Sequence, residues 1–129
     1  MAASLKSKSG QTGKTANRLE TALIAAFRES ALPGENIGFD KKACEEAARF
    51  TLRCAHERQG SEASLSLESV SGQQNHRHLR LAIVNDDMPF LVDSVCATIA
   101  GFGLTVERLI HPVVAVRRDA KGHLTEITE

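Results

Sequence analysis

The hydrophobic pattern changes period at Gly60, and that change limits what the chain can fold into. Before it, apolar residues recur every three or four positions; after it they alternate. The first spacing puts side chains on one stripe of a helix and the second on one face of a strand, so helices followed by strands are expected. In 129 residues, long enough to bury roughly two thirds of the unfolded surface, that order describes a single α+β domain.

Leu19, Leu23, Ile24, Ala26 and Phe27 predict a helix over 15–31, ended by Pro33-Gly34. Asp40 reads as the N-cap of a second helix running through Ala47, Phe50 and Cys54 toward Gly60. Together they form a helical hairpin over 15–60. Residues 1–14, polar and basic with one leucine, are expected to be a disordered tail.

Leu65 and Leu67 alternate in a weak strand, and a polar loop follows over 71–75. His76 to Asn85 is a clearer strand, with Leu79, Leu81 and Ile83 on its apolar face. Asp86-Asp87 ends it, and Pro89 suits the first turn of a helix whose stripe is Leu91, Val92, Val95, Ile99 and Phe102. Residues 104–118 read as a long strand bent at His111-Pro112, and 119–122 as a hairpin turn into a returning strand from His123.

Lys and Arg equal Asp and Glu at sixteen each, with only a mild basic excess before residue 60, so nucleic acid is not an expected partner. No apolar run reaches the roughly 18 residues that span a bilayer, and Lys6 and Lys8 interrupt any signal-peptide core. Cys44, Cys54 and Cys96 fit no zinc spacing and read as reduced, mostly buried thiols of a cytoplasmic protein.

Chemistry-bearing patterns are sparse. Gly10 to Thr15, GQTGKT, imitates the end of a phosphate-binding loop and would make a nucleotide binder, but Lys8 stands where the pattern needs its first glycine. His76, His78, His111 and His123 lack the spacing of a metal set, and a surface pair around Arg77 is the simpler reading of the first two. Asp86 and Asp87 sit where carboxylates stabilise a helix start. No nucleophile, catalytic triad or dinucleotide fingerprint appears, so no catalytic residue, metal or cofactor is assigned to this chain.

Asn85 to Val95, NDDMPFLVDSV, and then Leu109 to Asp119, LIHPVVAVRRD, with Gly122 three residues on, resemble the N-terminal region of the large bacterial NAD-specific glutamate dehydrogenases. The resemblance covers about Leu79 to Leu124. It implies an ACT-like, ferredoxin-like βαββ module over 61–129 that stops before its last helix and strand, and therefore a piece excised from a longer chain. It further implies a parent that converts L-glutamate to 2-oxoglutarate and ammonium with NAD held in a distant catalytic domain. The part here would be a non-catalytic regulatory or assembly module, partnered by the remainder of the parent chain and by further copies in a homo-oligomer. In ACT-like modules the first strand-to-helix turn, here Asn85, Asp86, Asp87, Met88, Pro89 and Phe90, meets either an interface or an amino-acid effector. Phe90 replaces the glycine typical of amino-acid binders, and two aspartates would repel a carboxylate ligand, which favours the interface.

Overall fold

The computed structural model describes residues 2–30, 40–71 and 77–128, with side chains from Gly13 onward. Within them the order is α1 (Ala2–Ser30), α2 (Lys41–Ala55), β1 (Ser64–Ser71), β2 (Arg77–Val84), α3 (Leu91–Gly101), β3 (Ala115–Arg118) and β4 (Leu124–Thr128). The class is α+β, as the change of period implied. The turn at Pro33-Gly34 and the loop over 72–76 lie outside the described residues.

The second helix, α2, is the centre of the fold. Its N-terminus is fixed as read from the sequence, with the Asp40 carboxylate accepting from the Ala43 amide at 2.8 Å. One side meets α1, where Leu23 and Phe27 pack on Cys44, Ala47 and the fully buried Ala48. Small residues there let the two helix backbones approach closely. Another side carries Phe50 and Cys54 against Ala82 of β2, and Ala55 at its end meets Leu19 and Leu124.

Helix α1 is longer than expected. Its backbone is helical from Ala2, through residues assigned to an unordered tail and through the whole of 10–15. No proline interrupts that stretch, and once a helix is nucleated each added residue costs little, so the apolar stripe that starts at Leu19 does not mark where the helix begins. Conversely, α2 ends at Ala55 rather than near Gly60. Residues 56–58 leave it to pair with 122–124: the Leu124 amide donates to the His56 carbonyl at 2.9 Å and the Arg58 amide to the Gly122 carbonyl at 3.0 Å.

The strands do not form one βαββ sheet. They make two antiparallel hairpins, β1 with β2 and β3 with β4. In the first, Leu65 opposes Ile83 and Leu67 opposes Leu81. The face turned to α2 is that of Arg80, Ala82 and Val84, whereas Leu79 and Leu81, expected inside, are 61% and 44% exposed. Alternation defines two faces without naming the buried one, and here it is Ala82, with Val84, that packs against Phe50 and Cys54.

The long strand over 104–118 reduces to Ala115–Arg118, since the preceding residues have no partner strand to complete a ladder. Helix α3 starts two residues after Pro89, and none of its residues is fully buried; Val95 is half-buried and Phe102 exposed.

Candidate functional site

The turn 85–90 is positioned from a distance. Val84 ends β2, Asn85 is half-buried, and the five residues that follow are exposed. Arg58, from the segment that leaves α2, reaches across to it. Its Nη1 donates to Asp86 Oδ1 at 2.9 Å, its Nη2 to Asn85 Oδ1 at 3.5 Å, and its Nε to the Glu62 carbonyl at 2.6 Å. The Asn85 amide also lies 3.8 Å from the Met88 sulfur.

The expected helix-capping role of Asp86 is thus corrected: its carboxylate pairs with a guanidinium rather than with the start of α3. The Arg58 side chain is 10% exposed and Asp86 60%, so water screens the pair and it contributes roughly 0 to 1 kcal/mol. The N-cap of α3 is Phe90, whose side chain offers no acceptor and whose φ of 65° lies in the left-handed region. Phe90 is also 78% exposed. The turn therefore offers surface rather than enclosure.

Behind it stands a second arginine. Arg118 Nη1 donates to the Ala55 carbonyl at 2.7 Å and to the Gly122 carbonyl at 2.9 Å, joining the carboxyl end of α2 to the β3–β4 turn. A cation suits that helix end, where unpaired carbonyls concentrate negative charge. Burial, and then the neighbouring Arg58 charge, lower its pKa below the usual arginine value, and its Nε is buried without a hydrogen-bond partner. By contrast, Arg117 points to solvent, 3.3 Å from Glu126.

The β3–β4 turn is held by Asp119, whose Oδ1 accepts from the amides of Lys121 and His123 at 2.9 Å each. The His123 amide is the chief cause, with that of Lys121 helping, that holds the Asp119 carboxyl below its ordinary value. The His123 ring stacks on His56 with centroids 5.4 Å apart.

The other sequence candidates do not converge. His76 lies outside the described residues, His78 and His111 are exposed, and no three His, Cys, Asp or Glu side chains gather as metal ligands among the described residues. The backbone over 10–15 is helix, so it forms no loop able to cradle a phosphate, which removes the nucleotide reading. An open groove of about 340 Å³ lies between α2 and the first hairpin, away from the turn. Two of its arginines are already paired, Arg80 with Glu68 at 2.6 Å inside the groove and Arg49 with Glu20 of α1 at 2.8 Å. No described helix is long and apolar enough to cross a membrane.

Sequence reasoning missed Arg58, whose partners in the turn lie 27 and 28 residues on. Gly122 was read as a turn residue and as part of the family pattern, but its contact with residues 56–58 was not.

These elements define an α+β domain whose candidate turn faces solvent. Residues 24–129 match the family described as the glutamate dehydrogenase ACT1 domain, and the chain belongs to that family. Over 50 residues it is 42% identical to the NAD-specific glutamate dehydrogenase of Pseudomonas aeruginosa, a match covering 39% of this chain and 3% of that protein. The chain thus corresponds to a small part of that relative's length. No solved structure matches it.

Proposed function

We propose that this chain is a non-catalytic assembly module of an NAD-specific glutamate dehydrogenase, covering and orienting neighbouring parts of the enzyme and other subunits. One observation carries the reading: among the described residues twelve large apolar side chains are exposed, several of them, such as Phe102, Leu104, Val106 and Val113, following closely after α3. Exposed apolar surface on this scale marks an interface in soluble proteins. NAD and the glutamate chemistry belong to the parent's catalytic region, and the three free cysteines suit a reducing cytoplasm.

Regulation through an amino-acid effector at 85–90 gains nothing from the geometry, because the residues after Asn85 are exposed and Asp86 is already paired with Arg58. Titration calorimetry with glutamate and aspartate should give no heat; a saturable heat abolished by Asn85→Ala would establish the effector instead.

The assembly reading is tested in the full-length enzyme with Leu104→Lys combined with Val113→Lys. Both sites are solvent-exposed here, so the isolated chain should keep its melting temperature while the enzyme loses subunits or NAD-dependent glutamate oxidation. Intact assembly and activity would contradict it.

A further inference from the structure

We propose that the exposed Met88–Phe90 knob of the 85–90 turn docks into the arginine-lined groove between α2 and the first hairpin of a second copy of this chain, a head-to-tail contact. The inference rests on the assembly reading and names one partner for it.

The groove has room and one uncommitted cation. Its volume is about 340 Å³, whereas a cavity of roughly 150 Å³ already holds a benzene ring. Arg49, Arg53 and Arg80 line it against two carboxylates, Glu46 and Glu68. Arg80 is bound to Glu68 and Arg49 to Glu20. The Arg53 guanidinium makes no hydrogen bond among the described residues, and the Glu68 carboxylate stands 4.0 Å from it. Glu46 lies seven residues back on α2, about 10 Å along the helix, and does not neutralise it. One face of the guanidinium lies over the Phe50 ring, 6.0 Å from the centroid, while the side chain as a whole is 68% exposed. Its outer face is therefore open to a second ring, and its N–H groups to a carboxylate.

The turn carries the complementary groups. Met88 and Phe90 are both exposed. Phe90 is the one non-glycine residue among those described with a positive φ, and strained backbone of this kind collects where a surface meets a ligand or partner. Asp87 and Asp93 flank the knob, exposed and without a hydrogen bond or ion pair among the described residues. No lysine or arginine occurs between Arg80 and Arg108, so nothing in this stretch repels a guanidinium. Phe90 stacked on Arg53, with the Asp87 carboxylate accepting from its edge, uses both ways in which a guanidinium is recognised.

Knob and groove sit at opposite ends of the hairpin. The turn leaves β2 after Val84, and Arg58 ties Asn85 and Asp86 to the segment that follows α2. The groove lies beside residues 68–71 and Arg80, at least four residues back, about 13 Å along the strand. The contact is therefore heterologous: each copy gives its knob to one neighbour and its groove to another.

Sedimentation equilibrium of the whole chain, from about 10 μM to about 1 mM, tests this. A contact this small is weak, so the weight-average mass should rise above 13.9 kDa in the upper part of that range. Phe90→Ala removes the knob and Arg53→Glu reverses the groove's open cation. Each variant should stay at the single-chain mass and keep the parent melting temperature, both sites being exposed. If Arg53→Glu melts lower, Arg53→Ala replaces it under the same requirement. An equimolar mixture of the two variants should associate again, since one retains the groove and the other the knob, and should stop at twice the single-chain mass. A parent chain that remains at 13.9 kDa throughout would overturn the proposal. So would association indifferent to either substitution, or a mixture that stays at the single-chain mass or grows past the pair. Such a failure leaves the assembly reading standing, because that reading is tested separately at Leu104 and Val113.

Discussion

Gly122→Ala tests the seam that joins the β3–β4 hairpin to the end of α2. Gly122 has φ of 87°, where a side chain is disfavoured, and an added Cβ would collide with the Arg58 carbonyl oxygen and stand 3.1 Å from Gln59 Nε2. The nearest obstacle is backbone, so the strands must separate instead of a side chain rotating away. The conformational term is about 1 to 2 kcal/mol. Separation also stretches the bond from the Arg58 amide to the Gly122 carbonyl, 3.0 Å, and the Arg118 contact to the same carbonyl, 2.9 Å. Losing one to two hydrogen bonds adds roughly 1 to 2 kcal/mol, for a total of about 2 to 4 of the 5 to 15 kcal/mol that hold a typical domain. At about 4 °C per kcal/mol the melting temperature should fall by roughly 8 to 16 °C. Thermal unfolding followed by circular dichroism measures this directly. A melting temperature within about 2 °C of the parent chain would refute the close packing of the hairpin on residues 56–58.

Phe50→Ala should destabilise by about 3 to 5 kcal/mol in urea unfolding, because Phe50 fills the space between α2 and β2 beside Cys54 and Ala82. Asp40→Ala removes the acceptor of the Ala43 amide and should lower stability by about 1 kcal/mol in the same assay. Asp119 carries a pH signature. Its folded pKa is depressed from 3.8, so its contribution is present above that value and is lost as pH falls through the lower folded one. Urea midpoints compared at about pH 5 and about pH 3 should therefore drop more for the parent chain than for Asp119→Asn.

Local signals carried much of the fold and little of its tertiary arrangement. The Asp40 cap, the α1 stripe from Leu19 to Phe27 and the turn at Asp119 to Gly122 each depend on residues a few positions apart, and each was readable. The buried face of β2 was not. Alternation alone favoured the larger Leu79 and Leu81, whereas the face that packs against Phe50 is that of Ala82. Residues 104–114 have strand composition, but a strand exists only with a ladder partner, and that partner is a tertiary fact. The start of α1 was invisible because a helix can run past the end of its apolar stripe. At the candidate turn, the sequence located Asn85 to Phe90 and suggested a surface poor for holding a carboxylate ligand. It assigned Asp86 to the nearest helix because the true partner, Arg58, lies 28 residues away.

The central claim is that the apolar residues left exposed here are covered by the rest of a glutamate dehydrogenase. Hydrogen exchange of residues 104–114, compared between this chain alone and the full-length enzyme, measures that coverage. In the isolated chain these residues lie outside any strand, so their amides should exchange quickly. In the enzyme they should be protected by at least roughly a hundredfold, the mark of a segment buried in a stable interface. Equal exchange in the two forms would contradict the claim, since the segment would then face water in the enzyme as it does here.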